Sequence, residues 1–120
     1  MSELFLNGRE VTVAVDGDIL GGVLYARTVS HTRETEVQEY LSPTPVARLP
    51  QTSYTVLLRL NRQPYADVGF APQRVELRYR GICERYSGCR VTEIKCEVLP
   101  RSVVEYAVTI EADERSCQHA

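Results

Sequence analysis

The chain has 120 residues, 43% of them apolar and 25% charged, with a formal net charge of −2. That length supports a single hydrophobic core and one domain. The charge balance excludes a basic footprint for nucleic acid and a polybasic membrane patch, and no apolar run approaches the ~18 residues of a spanning helix, so no membrane partner is expected. The opening MSELFLNGRE is acidic and poor in apolar residues, unlike a secretory signal, which makes cytoplasmic synthesis the expectation.

Leu4 and Leu6 alternate ahead of Asn7-Gly8, a dipeptide that predicts a hairpin because both central residues of a type I′ turn need positive φ. The strand after it spans residues 10–15, with Val11, Val13 and Val15 on one face. Asp16-Gly17-Asp18 then turns the chain; a calcium loop would need further oxygen ligands at alternating positions and a late glutamate, and none follow. Gly21-Gly22 leads into residues 23–41, VLYARTVSHTRETEVQEYL. Here Val23, Tyr25, Arg27, Val29 and His31 alternate with Leu24, Ala26, Thr28, Ser30 and Thr32. The polar triplet Arg33-Glu34-Thr35 is expected to turn the chain into a second strand over residues 36–41. This long hairpin is half-polar on both faces, and such a hairpin is poorly stable alone. It needs the rest of the domain or another copy of the chain.

Residues 42–50 carry three prolines, which argues against a central strand and predicts an extended surface connector. Residues 53–61 form the clearest core strand, with Tyr54, Val56, Leu58 and Leu60 on one face; burying four such side chains contributes on the order of 8 kcal/mol before entropy is subtracted. Pro64, Gly69 and Pro72 interrupt residues 61–73, leaving room for at most one helical turn near residues 65–68. Residues 74–80 alternate cleanly, with Val75, Leu77 and Tyr79 inside and Arg74, Glu76, Arg78 and Arg80 outside. Gly81 marks a bulge or bend before a turn at Ser87-Gly88. The next strand, residues 89–98, is expected to turn Ile94, Cys96 and Val98 inward. The last strand, residues 103–112, puts Val104, Tyr106, Val108, Ile110 and Ala112 on the core face. Residues 113–120 are polar and expected to fray as a tail.

These seven or eight strands read as an all-β fold. It is an antiparallel β-sandwich or barrel with a long protruding hairpin and at most one short helix, a single β domain over residues 1–112 followed by the 113–120 tail. Cysteines 83, 89, 96 and 117 lack a secretory context, so an even count does not imply disulfides. Core thiols, a Cys83–Cys89 pair across a hairpin and a metal site all stay open, although the spacing is not a standard zinc knuckle. His31 has no neighbouring nucleophile with a supporting carboxylate, and His119 lies in the tail. There is no phosphate loop, dinucleotide fingerprint or nucleophile elbow, so no catalytic residue, cofactor or metal ligand is expected. A ligand-binding β-barrel and a small barrel enzyme are the rivals to an assembly protein.

The order of elements resembles that of bacteriophage and prophage tail-tube proteins and of tubes in related contractile injection systems. The likeness rests on EVTVAV with its DGD turn, the hairpin VLYARTVSHTRETEVQEYL, the core strand SYTVLLRLN and the closing pair GCRVTEIKCEVLP and VVEYAVTIEAD. The resemblance implies a β-sandwich that self-assembles as a homo-oligomer, a hexameric ring, together with other tail proteins. It places the protein in a virion tail assembled in the bacterial host cytoplasm, with DNA passing through a lumen rather than bound specifically. It makes the hairpin the element that joins neighbouring copies, with Arg27, Val29, His31, Arg33, Glu34, Glu36, Gln38 and Glu39 as interface or lumen residues. An acidic lumen at Glu34, Glu36 and Glu39 would disfavour adhesion of the DNA phosphates. Family members carry a helix on the sandwich flank, whereas residues 61–73 here are proline-broken, which widens the expectation to a tail completion, baseplate or hub subunit.

Overall fold

The computed structural model describes residues 2–38, 45–64 and 71–119. Two antiparallel sheets of five strands face each other. One contains β1 (Ser2–Asn7), β4 (Val23–Gln38), β5 (Pro45–Leu60), β9 (Val103–Ala112) and β8 (Arg90–Leu99), side by side in that order. The other is ordered β10 (Glu114–His119), β7 (Ile82–Ser87), β6 (Arg74–Tyr79), β2 (Thr12–Val15) and β3 (Asp18–Ile19). Neither sheet closes on itself, so the fold is a sandwich and not a barrel.

The core follows from period-2 alternation. Val56, Leu58 and Leu60 of β5 and Val108 and Ile110 of β9 meet Val13, Val75 and Leu77 of the opposite sheet, all at most 1% exposed. The expected inward faces of β5, β6 and β9 are therefore observed. Asp16 and Gly17, with φ of 49° and 91°, form the tight turn between β2 and β3, and Asp16 Oδ1 accepts from the Gln73 and Arg74 amides at 3.0 and 2.9 Å. The carboxylate thus anchors the start of β6. Arg80 and Gly81, at φ 46° and 75°, make the matching turn between β6 and β7, a hairpin and not a bulge.

Several expectations are corrected. Asn7-Gly8 does not join a hairpin: β1 pairs with β4, and β2 lies in the other sheet. Neither Asn7 nor Gly8 has positive φ. Instead Asn7 Oδ1 accepts the Arg9 amide at 2.9 Å and its carbonyl accepts the Glu10 amide at 3.1 Å, a side-chain-stabilised turn that carries the chain between sheets. The Gly8 amide bonds the Leu24 carbonyl at 2.8 Å, and a Cβ there would stand 2.0 Å from the Val23 carbonyl oxygen. Glycine is required here for close approach, not for turn geometry.

Arg33-Glu34-Thr35 is not a turn. β4 runs unbroken through it to Gln38, because three polar residues with no Gly, Pro or Asn offer no reason to reverse. The return strand is β5, beginning at Pro45, so residues 45–50 are strand where a connector was expected. Their prolines are tolerated because β9 pairs with β5 only from Tyr54 to Leu60. The earlier part of β5 has one open side, where a missing N–H costs no ladder bond. The register shift between Val23 and Tyr25 also turns Val23 toward the core, off the face it was expected to share with Tyr25.

Cys96 and Val98 were expected inside, yet both are exposed, Val98 at 73%. The strands of the second sheet are at most six residues long, whereas β8 and β9 have ten each and outrun the cover. The expected frayed tail is instead β10, paired along its length with β7. The helical turn expected near residues 65–68 lies outside the described residues, as does the end of the hairpin over residues 39–41. Among the described residues the one helical element is a 3-10 turn at Pro100–Ser102.

Candidate assembly surface

β1 covers β4 only from Tyr25 to Ser30, and β9 covers β5 only from Tyr54 onward. Beyond those points β4 and β5 continue as a two-stranded ribbon, from the His31–Ser53 pair to the Gln38–Pro45 pair. At its base the Thr32 and Thr52 hydroxyls are 3.1 Å apart. The molecule is correspondingly elongated, 62 × 32 × 26 Å.

The structure separates the sequence-derived candidates into two places. Arg27 and Val29 lie on the sandwich, half-buried on the outer face of the first sheet, with Arg27 paired to Glu3. His31 is exposed where the ribbon begins, and Arg33, Glu34, Glu36 and Gln38 follow along it, opposite Gln51, Pro50, Arg48 and Pro45 in register. Glu39 lies outside the described residues. Glu36 is thus in backbone register with Arg48.

The same outer face carries a group that sequence reasoning missed. Arg59 donates from Nε to Glu105 at 2.6 Å and from Nη2 to Glu97 at 2.7 Å, joining β5 to β9 and β8. Its side chain is 16% exposed. Its hydrogen bonds to Glu97 and Glu105 hold the guanidinium proton still more tightly than usual, and the Arg59 contact pulls Glu97 below the ordinary carboxylate range. Beside it Phe5 and Tyr25 stack with ring centroids 5.0 Å apart, and Phe5 stays 55% exposed. Among the described residues no further layer covers this partly apolar, partly ion-paired face.

No protein-family model and no curated protein sequence matches the chain. Solved structures do. A chain of the virion of a native gene transfer agent particle superposes with a TM-score of 0.63 at 11% identity, covering 95% of this chain and 98% of that one. The tail of the empty particle, refined with C6 symmetry, gives 0.58 at 11% identity over the same shares. A chain of the anti-feeding prophage cap, which terminates its tube, gives 0.62 at 10% identity over 96% and 91%. A chain of the PVC sheath-tube complex, from an extracellular contractile injection system in its extended state, gives 0.61 at 10% identity over 96% and 92%. The chain has a tail-tube-type fold.

Within this tail-tube-type fold a second missed group sits inside, between the sheets. Glu84, 7% exposed on β7, accepts the Tyr79 hydroxyl at 2.7 Å and the Tyr86 hydroxyl at 2.8 Å, one on each carboxylate oxygen. Burial and the facing carboxylate push both phenols above their ordinary range. A signal was present in the sequence: Ile82, Glu84 and Tyr86 share one strand face, and a carboxylate at the centre of an apolar alternation marks a buried partner set. Among the described residues no group of three or more His, Cys, Asp or Glu could hold a metal ion. The four cysteines are free thiols; Cys83, not Cys96, is the buried one, and partial burial pushes the Cys89 thiol up.

Proposed function

We propose that the chain is a non-enzymatic structural subunit of a phage-type tail or injection-system tube, and that it works by self-assembly into rings or a tube. The observation that carries this reading is the full-length match, above 90% of both chains, to chains from a gene transfer agent virion, a tube-terminating cap and a sheath-tube complex. The β4–β5 ribbon supports it, because a two-stranded ribbon of half-polar residues has little to stabilise it unless a neighbouring surface receives it. The C6 symmetry of one matching tail favours a hexameric ring. In that ring Arg27, Val29, His31, Arg33, Glu34, Glu36, Gln38 and Glu39 are the subunit-contact or lumen residues, other tail proteins stack on either side, and DNA passes without specific binding. The site of action is the virion tail, assembled in the bacterial host cytoplasm. Tube, cap and baseplate roles all fit this architecture.

A monomeric ligand-binding barrel needs an open, splayed interior. Leu58, Leu60, Leu77 and Ile110 fill the centre of the space between the sheets instead, and the sheets keep open edges. Light scattering over a concentration series, followed by negative-stain imaging, tests the assembly reading. Rings or tubes that grow with concentration are expected. A strict monomer at every concentration, with the ribbon intact, overturns self-assembly.

A further inference from the structure

Between the sheets, beside Glu84, lies a pocket of about 240 Å³ bordered by Thr28, Ser30, Tyr54, Tyr86 and Arg115. The volume admits several waters or one small organic group. Its chemistry is that of a cation acceptor. Glu84 is more than nine-tenths buried and forms no ion pair among the described residues; its bonds are to two neutral phenols. A carboxylate has about four acceptor positions, and the two tyrosines use two. The rings of Tyr54 and Tyr86 stand edge to face with centroids 6.0 Å apart and offer π faces, while Thr28 and Ser30 add hydroxyl oxygens. A buried charge without a counter-charge is costly, and a cation entering here would relieve that cost.

One cation already stands at this pocket. Arg115, opposite Tyr86 on the exposed strand β10, holds its guanidinium 5.0 Å from the Tyr54 ring centroid without forming an ion pair to Glu84. We propose that the pocket is an acceptor site for a guanidinium or primary ammonium group, with Arg115 at its border as the chain's own competitor. The incoming group is held by Glu84 beside the Tyr54 and Tyr86 rings, and supplied either as a free cation or as a basic side chain of a second copy. This site does not depend on the tail reading, since it is built within one chain.

The test follows the Tyr54 and Tyr86 ring resonances by NMR during titration with methylguanidinium and propylammonium chloride, against sodium chloride at equal ionic strength. Saturable shifts are expected in the native protein, with Kd roughly two- to fivefold lower in Arg115→Ala, the factor that loss of one cation–π competitor would release. Glu84→Gln is expected to weaken binding at least about tenfold. Should that variant fold poorly, Ser30→Leu fills the pocket and leaves Glu84 in place, and it too should abolish the shifts. The proposal is overturned if sodium reproduces the shifts, if Arg115→Ala shows no saturable response, or if Glu84→Gln and Ser30→Leu both bind undiminished. Shifts that appear with rising protein concentration and no added cation identify a second copy as the source; shifts that need the added cation identify a free one.

Discussion

Tyr86 donates its hydroxyl hydrogen to Glu84 at 2.8 Å from a position two residues along the same strand, so a carboxylate and the phenol that neutralises its desolvation share one face of β7. Tyr79, across the β6–β7 turn, completes the set at 2.7 Å. Each oxygen of the carboxylate thereby accepts one hydrogen bond inside the sandwich. Removing the acceptor takes from two buried hydroxyls the oxygen they donate to. Glu84→Ala is therefore expected to lower stability by about 2–4 kcal/mol, and Glu84→Gln by less, because the amide keeps one acceptor oxygen. Urea denaturation of the two variants against the native protein measures the difference.

The two phenols set an alkaline limit. Their folded-state pKa values lie above the unfolded value of 10.0, so their contribution is fully present below pH 10 and is lost as pH rises through the folded values. Thermal melts between pH 8 and pH 11.5 should show Tm falling once pH exceeds about 10. Tyr86→Phe removes one of the titrating groups, so its melts should fall less steeply over the same range.

Arg59 is the hinge of the outer face. Replacing it with methionine keeps the aliphatic stem but leaves Glu97 and Glu105 facing each other without the cation. At neutral pH the Tm of Arg59→Met is expected to drop by about 3–6 °C. The pH dependence has a defined sign. Glu97 is depressed below its ordinary value of 4.5 by Arg59, so the native protein has this stabilisation above pH 4.5 and loses it as pH falls through the folded value. The gap between native and variant should therefore narrow below about pH 4.5, and melts at pH 3.5 and pH 7 compare the two.

The ribbon is separable from the sandwich. Replacing residues 32–52 with an Asn-Gly turn between His31 and Ser53 keeps every pair that β1 and β9 make with β4 and β5. The shortened protein is expected to remain folded, with native-like circular dichroism and a cooperative melt, and to lose the concentration-dependent assembly of the full chain. Light scattering on both proteins at matched concentration reads the outcome; assembly that persists without the ribbon removes it from the subunit contact.

Alternation alone disclosed the all-β class and the inward faces of β5, β6 and β9, because a two-residue period is written directly into which side chains can be buried. The Asp16-Gly17 turn was legible for a related reason: positive φ is cheap for few residues, and they were present. Arg59 was not legible as a site, and Glu84 was legible only as a carboxylate sharing an apolar face with Tyr86. The sequence does not say that Glu97 and Glu105 flank Arg59 or that Tyr79 on the neighbouring strand reaches Glu84. Sheet membership was likewise decided in three dimensions. Asn7-Gly8 has the composition of a hairpin, yet β1 pairs with β4, setting Leu4 opposite Thr28 and Leu6 opposite Ala26. The length of the ribbon was hidden by its prolines, whose cost depends on whether the missing N–H would have faced a neighbour. That is a property of the assembled sheet, and no residue carries it alone.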